Sequence, residues 1–389
     1  MSTFIPRQIA PLIKAQQSKF PVLAVTGPRQ SGKTTLLRDL FADYRYISLE
    51  NPDFRSFASE DPIAFLNRYE NKVILDEVQR VPELFSYIQG RVDESRTMGQ
   101  YILSGSQNFH LLNSITQTLA GRVALFKLLP FDFQELKLNG MLDNPATAVA
   151  MKGFYPAIYD RGIDPVVFYA NYIQTYIEKD VTELTNIRDL KAFRTFLGLC
   201  AGRAGQLLNF SAIANECNIS HNTAKAWLSI LESSYIIFLL QPYYQNFNKR
   251  LIKSPKLYFY DTGLLNFLLG HKTTADLEEN RLKGNVFENM VVAEYQKKNH
   301  HQYLHEDYYF WQDSNSNEVD LLIKKGDGFS VFEIKSTQTI SPGLFKKMDR
   351  FENISAPAKV EKTLIYGGLE DEKRTRYQVI SWRNISDNS

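Results

Sequence analysis

The sequence predicts an α/β protein in three parts, and three patterns carry that expectation. In the first third, short apolar runs alternate with helical stretches: Val22 to Val25, Tyr46 to Leu49, Val73 to Leu75 and Tyr101 to Ser104 read as strands, with a helix from Lys33 to about Phe41 after a glycine-rich turn. Strands alternating with helices imply a mostly parallel sheet covered on both faces. The pattern ends near Pro130. A helical region then runs roughly from Asp164 to Leu240, broken by Gly198, Gly202 and Gly205. From Phe287 a helix leads into strands Tyr308 to Trp311, Val319 to Ile323 and Ser330 to Ile334, a second α/β pattern. The expected divisions are 1–140, 141–275 and 276–389.

Composition sets the outer limits. The chain has 389 residues, 44% hydrophobic and 23% charged, so several cores can be buried. A formal net charge of +2 excludes a polycation; any nucleic-acid surface must be a local patch. Two cysteines, Cys200 and Cys217, make no disulfide framework and lack metal-ligand spacing. The first twenty residues mix Arg7, Lys14 and Lys19 with apolar side chains and do not read as a secretion signal. No stretch approaches the roughly 20 apolar residues that span a bilayer. The expectation is a cytoplasmic protein that does not enter the membrane.

Gly27-Pro28-Arg29-Gln30-Ser31-Gly32-Lys33-Thr34 fits the spacing of a phosphate-binding loop, G-x-x-x-x-G-K-[ST], between a strand and a helix. The chemistry accounts for the spacing. Glycines let backbone N–H groups turn toward phosphate oxygens, and the helix N-terminus adds its positive dipole end. Lys33 reaches the β- and γ-phosphates, the Thr34 hydroxyl ligates magnesium, and Thr35 continues the loop. ATP and Mg2+ are the expected cofactors. The apolar strand ending in Asp76-Glu77 supplies the rest: Asp76 on the metal side, Glu77 to polarise the attacking water. Ser104 to Asn108 ends the fourth strand, where Ser106 and Asn108 are placed to sense the γ-phosphate.

Gly27 to Thr35, Leu75-Asp76-Glu77-Val78-Gln79, Leu103 to Ser106 and Leu119-Ala120-Gly121-Arg122 together resemble the prokaryotic AAA-type ATPases that carry a C-terminal domain of unknown function. The resemblance implies a phosphate-loop ATPase fold over the first domain. It also implies that Arg122, which follows the sensor strand, reaches a neighbouring subunit's nucleotide. An arginine acting in trans needs a homo-oligomer.

In the middle segment, Phe210 to Ala214 starts one helix, Asn215 to Ile219 makes a turn, and Ser220 caps a second helix. Two short helices and a tight turn read as helix-turn-helix. His221, Asn222 and Lys225 then lie near the second helix's N-terminus, where base edges are read. Tyr235 to Leu240 follows as a strand, as in a winged version. Lys249, Arg250, Lys253 and Lys256, among aromatic residues, form a local basic patch suited to DNA phosphates.

The last segment carries Glu288 in a helix, then Glu318-Val319-Asp320, then Glu333-Ile334-Lys335. A side-chain period of two puts Glu333 and Lys335 on one face of their strand. This order resembles the PD-(D/E)-x-K nuclease core, including archaeal junction-resolving nucleases, although Val319 stands where the usual proline would be. The resemblance implies that Asp320 and Glu333 bind magnesium while Lys335 orients water at a phosphate, with Glu288 completing the group. Two functions follow as alternatives: an ATPase that acts on DNA and cleaves it, or a nucleotide-controlled assembly switch whose C-terminal domain only binds a partner.

Overall fold

A computed structural model describes residues 5–106, 117–177, 189–244 and 254–387. Its first sheet contains β1 (Val22–Thr26), β2 (Arg45–Ser48), β3 (Val73–Asp76), β4 (Tyr101–Gly105) and β5 (Val123–Lys127), in the order β2-β3-β4-β1-β5. Every neighbouring pair is parallel. The central strand β1 shows why its sequence is continuously apolar. Val22 and Ala24 enter a core with Leu75, Phe85 and Leu103, while Leu23 and Val25 enter a second core with Leu36, Leu37 and Phe126. A parallel strand is buried on both faces, so no polar alternation survives. β5 is the strand the sequence reading passed over.

The second sheet is larger than expected. It adds β6 (Ile237–Pro242), β7 (Lys256–Phe259), β8 (Tyr308–Gln312), β9 (Glu318–Lys325), β10 (Gly328–Lys335), β11 (Val360–Tyr366), β12 (Glu372–Lys373) and β13 (Gln378–Ser381). Their order is β12-β13-β11-β10-β9-β8-β6-β7. β8, β9 and β10 form an antiparallel meander, and β11 joins β10 in parallel.

The helix-turn-helix elements are helices Phe210–Glu216 and His221–Ser233. Asn209 and Ser220 cap them by accepting from Ala212 N (3.0 Å) and Thr223 N (3.0 Å). The strand that follows differs from the expectation of a separate wing. β6 pairs with β7, then continues onto β8 through Gln241 and Pro242, so this hairpin is the end of the C-terminal sheet. One hydrophobic core joins the middle and C-terminal segments: Trp227, Leu240, Phe259, Val291, Phe310, Ile334 and Trp382 belong to one cluster.

Helix Lys283–His301 runs through this core, buried on several sides. Its charged residues are buried because they serve backbone groups of the segment leaving β5. Glu294 accepts from Phe133 N with both oxygens at 3.0 Å, and Lys297 donates to Phe131 O (3.0 Å). Trp382, 1% exposed, packs edge-on against Phe133 with ring centroids 5.5 Å apart. It ties the end of the chain to the segment that follows the first sheet. Replacing Trp382 with Ala should cost about 3–5 kcal/mol of stability, the usual range for emptying an aromatic core position. Urea denaturation monitored by circular dichroism measures this, and an unchanged midpoint would show that the contact contributes nothing.

Candidate nucleotide cleft and C-terminal acidic site

The loop between β1 and helix Lys33–Leu40 is shaped by positive backbone angles. Gly27 has φ 149°, and a Cβ there would lie 2.1 Å from Leu128 O, so only glycine fits. Gly32 has φ 94° and immediately precedes the helix. Lys33 is buried, and its ammonium donates back to Gly27 O (2.9 Å) and Pro28 O (2.8 Å), which holds it inside the loop's curve. Ser31 Oγ is also buried and has no partner among the described residues. A loop that opens onto a helix N-terminus, with an inward lysine and an unsatisfied hydroxyl, fits a phosphate chain.

Opposite the loop, Asp76 ends β3 in register with Ser104 on β4. Its carboxylate accepts from Thr34 Oγ1 (3.0 Å), Tyr46 OH (2.6 Å), Ser104 Oγ (2.5 Å) and Glu77 N (3.1 Å). Such a set of donors fixes the direction of the carboxylate. Burial and the neighbouring Asp76 charge push the Tyr46 hydroxyl well above its ordinary value, so it remains a donor. Glu77 adopts a left-handed conformation (φ 53°, ψ 41°), which typically costs a residue other than glycine about 1–3 kcal/mol. Its Oε2 accepts from Ser106 Oγ (3.1 Å) and from Gln79 Nε2. The strained backbone therefore aims a doubly anchored carboxylate. The sequence reading gave no role to Tyr46, which lies in no motif, or to Gln79, which it quoted only as the end of the Leu75 to Gln79 segment.

These groups line one cleft of about 400 Å³ with Arg29, Gln30, Thr35 and Glu50. The middle segment closes its other side with Pro156, Arg161 and Tyr176. Gln30 Nε2 donates to Tyr176 OH (2.9 Å), and the Arg29 guanidinium sits 5.5 Å from the Tyr176 ring centre. Thr34 and Asp76 would hold a magnesium ion here. Asn108 lies outside the described residues.

At the far end of the chain, β9 and β10 pair only as far as Leu321 and Phe332. There the ladder opens, and the Asp320 side chain takes the next backbone donor, Ile334 N, at 2.7 Å. Lys335 Nζ bridges Asp320 Oδ2 (3.0 Å) and Glu333 Oε1 (2.7 Å), so both carboxylates share one side of the sheet. Burial and the Asp320 charge push Glu333 up to about 7. Burial opposes ionisation of Asp320 too, but the Lys335 and Lys256 ammoniums hold it below its usual range. Glu288 stands on the other side of Asp320. Oxygens of Glu288, Glu318 and Asp320 lie within 4.8 Å of one another. Glu318 was not singled out from the sequence, because a strand-end glutamate carries no chemical signature of its own.

Residues 19–137 match the family model described as AAA domain. That span contains the first sheet and the phosphate loop. Residues 146–275 and 283–385 match two models described as domains of unknown function, DUF8612 and DUF4143. Two uncharacterized proteins, from Mycobacterium tuberculosis and Mycobacterium bovis, are each 29% identical over 340 residues, covering 86% of this chain and 75% of theirs. Among solved structures, the Walker-type ATPase of Pyrococcus abyssi has 16% identity and a TM-score of 0.44, covering 68% of this chain and 96% of that one. A RuvB structure from Thermotoga maritima has 17% identity and a TM-score of 0.30, covering 59% and 85%.

The coordinates place Arg122 and correct the reading of Lys256. Arg122 immediately precedes the edge strand β5, and its carbonyl accepts from Val22 N (3.2 Å), at the end of β1 opposite the phosphate loop. Its guanidinium makes a bidentate pair with Asp93 (2.5 and 2.8 Å). It cannot reach its own cleft. Lys256, expected on an exposed basic patch, is 2% exposed and ion-paired with Glu288 (3.2 Å) and Glu318 (2.6 Å). The patch reading fails for Lys256 because β7 points inward at the acidic cluster. Lys249, Arg250 and Lys253 lie outside the described residues. His221, Asn222 and Lys225 are exposed along the start of their helix. Gly27→Ala should weaken binding of a fluorescent ATP analogue by at least about tenfold, because the new methyl group displaces the loop from Leu128. Wild-type affinity would mean that the loop relaxes freely.

Proposed function

We propose that the protein hydrolyses ATP in the N-terminal cleft and uses that cycle to act on DNA, with the C-terminal acidic site as a magnesium-dependent phosphodiesterase. The convergence of Lys33, Thr34, Asp76 and Glu77 in one cleft carries this reading. Lys33 pairs with the β- and γ-phosphates once ATP displaces the loop carbonyls from its ammonium. Thr34 and Asp76 would hold a magnesium ion, which would neutralise phosphate charge when bound. Glu77, oriented by Ser106 and Gln79, polarises the attacking water. Lys33→Ala should abolish turnover. Glu77→Gln should bind ATP normally and lose at least about a hundredfold in rate, the lower range for removing a general base. Wild-type phosphate release by Glu77→Gln would remove that role.

Arg122 faces away from its own nucleotide, which fits action on a neighbouring copy. In a homo-oligomer, mixing Arg122→Ala with Lys33→Ala chains should restore part of the activity that each lacks. Monomeric mass under ATP together with absent complementation would exclude the arrangement.

The DNA assignment rests on two supports. His221, Asn222 and Lys225 are exposed at the start of the second helix of a helix-turn-helix. Asp320, Glu333 and Lys335 share one face at the opened end of a hairpin. In cleavage, Lys335 would orient water beside the scissile phosphate, and Asp320 and Glu333 would hold magnesium. Asp320→Asn should remove nicking of supercoiled, linear or branched DNA while leaving ATP turnover unchanged. A second reading is a nucleotide-controlled switch whose C-terminal domain binds a partner without cleaving. It is favoured by the lysines already paired with these carboxylates. ATP turnover indifferent to DNA, with no nicking in magnesium or manganese, would select it.

A further inference from the structure

The acidic site is built from both sides of the boundary between the middle and C-terminal segments. Lys256 and Tyr258 come from β7, Glu288 from helix Lys283–His301, and Glu318, Asp320, Glu333 and Lys335 from β9 and β10. Asp320 divides the site into two lobes, and the lobes differ.

In the first lobe, the oxygens of Glu288, Glu318 and Asp320 are close enough together to hold an ion. That position already contains a cation. Lys256 Nζ lies 3.2 Å from Glu288 Oε1 and 2.6 Å from Glu318 Oε1, and Tyr258 OH donates to the same Glu288 oxygen at 2.6 Å. Lys256 is 2% exposed, so its ammonium has little water and depends on these carboxylates for its charge to be tolerated. In the second lobe, Glu333 is 1% exposed, yet its Oε2 has no partner among the described residues. Lys335 and Lys347 both approach the other oxygen, Oε1, at 2.7 and 3.6 Å. A buried carboxylate oxygen without a partner is costly unless something else binds it.

We propose that this site takes one divalent cation, in the Asp320–Glu333 lobe, and that the Lys256 ammonium permanently occupies the position of a second. The inference rests on the metal-dependent reading given under Proposed function. Charge balance supports it independently of motif. Four carboxylates face the three ammoniums of Lys256, Lys335 and Lys347, leaving one negative charge, so one divalent ion brings the site to a single positive charge. A second divalent ion would raise that excess to three, in a place where little water remains to screen it. Lys256 is thus a positioning residue of the middle segment: it keeps Glu288 and Glu318 folded around Asp320 and denies them to a metal.

The test counts ions. Nucleotide-free protein is titrated with Mn2+ and the free ion is measured by electron paramagnetic resonance; Asp320→Asn serves as the background for any ion held near Asp76. Wild type should bind one ion that Asp320→Asn loses. Lys256→Gln, which keeps a hydrogen-bonding side chain but removes the charge, should bind two, as should Lys256→Met. Lys256→Arg should stay at one. Two ions in wild type would overturn the inference while leaving the metal-dependent reading intact, and so would a folded Lys256→Gln that still binds one. No ion in wild type would overturn the metal-dependent reading itself, and this inference with it. The wild-type count needs no variant at this lysine, so a substitution that prevents folding does not shield the proposal.

Discussion

A buried charge network between the phosphate loop and helix Lys283–His301 is the constraint on which the rest of the architecture depends. Arg7, 6% exposed, donates to Ser31 O (2.7 Å), Leu129 O (2.6 Å) and Glu135 Oε1 (2.9 Å). Glu135 and Asp132 cap the helix Phe133–Leu138 reciprocally, and Asp132 Oδ2 meets His301 Nδ1 at 2.6 Å. Leu129 N donates to His301 Nε2 (3.2 Å), so the proton of the neutral ring sits on Nδ1 and points at Asp132. Removing any one member would strand a buried charge or a buried backbone donor. The first sheet and the C-terminal helix are therefore held in one arrangement. The peptide after Ser31 is held too: with its carbonyl on Arg7, the trans geometry turns the Gly32 N–H the opposite way.

The same helix carries Glu288 thirteen residues before His301, about 20 Å along its axis at 1.5 Å per residue. One rigid element thus touches the segment behind the nucleotide cleft at one end and the acidic cluster at the other. Both sites also draw on the middle segment, through Tyr176 and Arg161 at the cleft and through Lys256 and Tyr258 at the cluster. The two sites hold their carboxylates in different ways. Asp76 is held in place by neutral hydroxyl donors. The C-terminal carboxylates are crowded, and lysines hold them together.

Legibility followed the range of the interactions involved. The phosphate loop could be read because its chemistry is local: glycine conformations, one lysine and one hydroxyl within eight residues. Strands β1, β3 and β4, and the hairpin of β9 and β10, were legible because apolar runs buried on both faces stand out against polar turns. Strand β5 was passed over, and β6 was read as the wing of a small separate module. The reason is that β6 gains its parallel partner β8 from a segment about seventy residues later, and no local pattern encodes that pairing.

What the amino-acid sequence by itself determined was chemistry carried by neighbours in the chain: a loop that fits phosphate, an acidic pair at a strand end, two capped helices, and Glu333 and Lys335 on one face of a strand. The tertiary structure decided what those groups face. Lys256 reads as one more cation in a basic stretch. Only the packing of β7 against helix Lys283–His301 buries it and hands it to Glu288 and Glu318. Arg122 reads as a residue for a neighbouring copy's nucleotide, and only the parallel sheet shows that it lies at the end of β1 away from its own phosphate loop. Burial and long-range pairing set the energy of a charge, and neither is a property of the residues beside it in the chain.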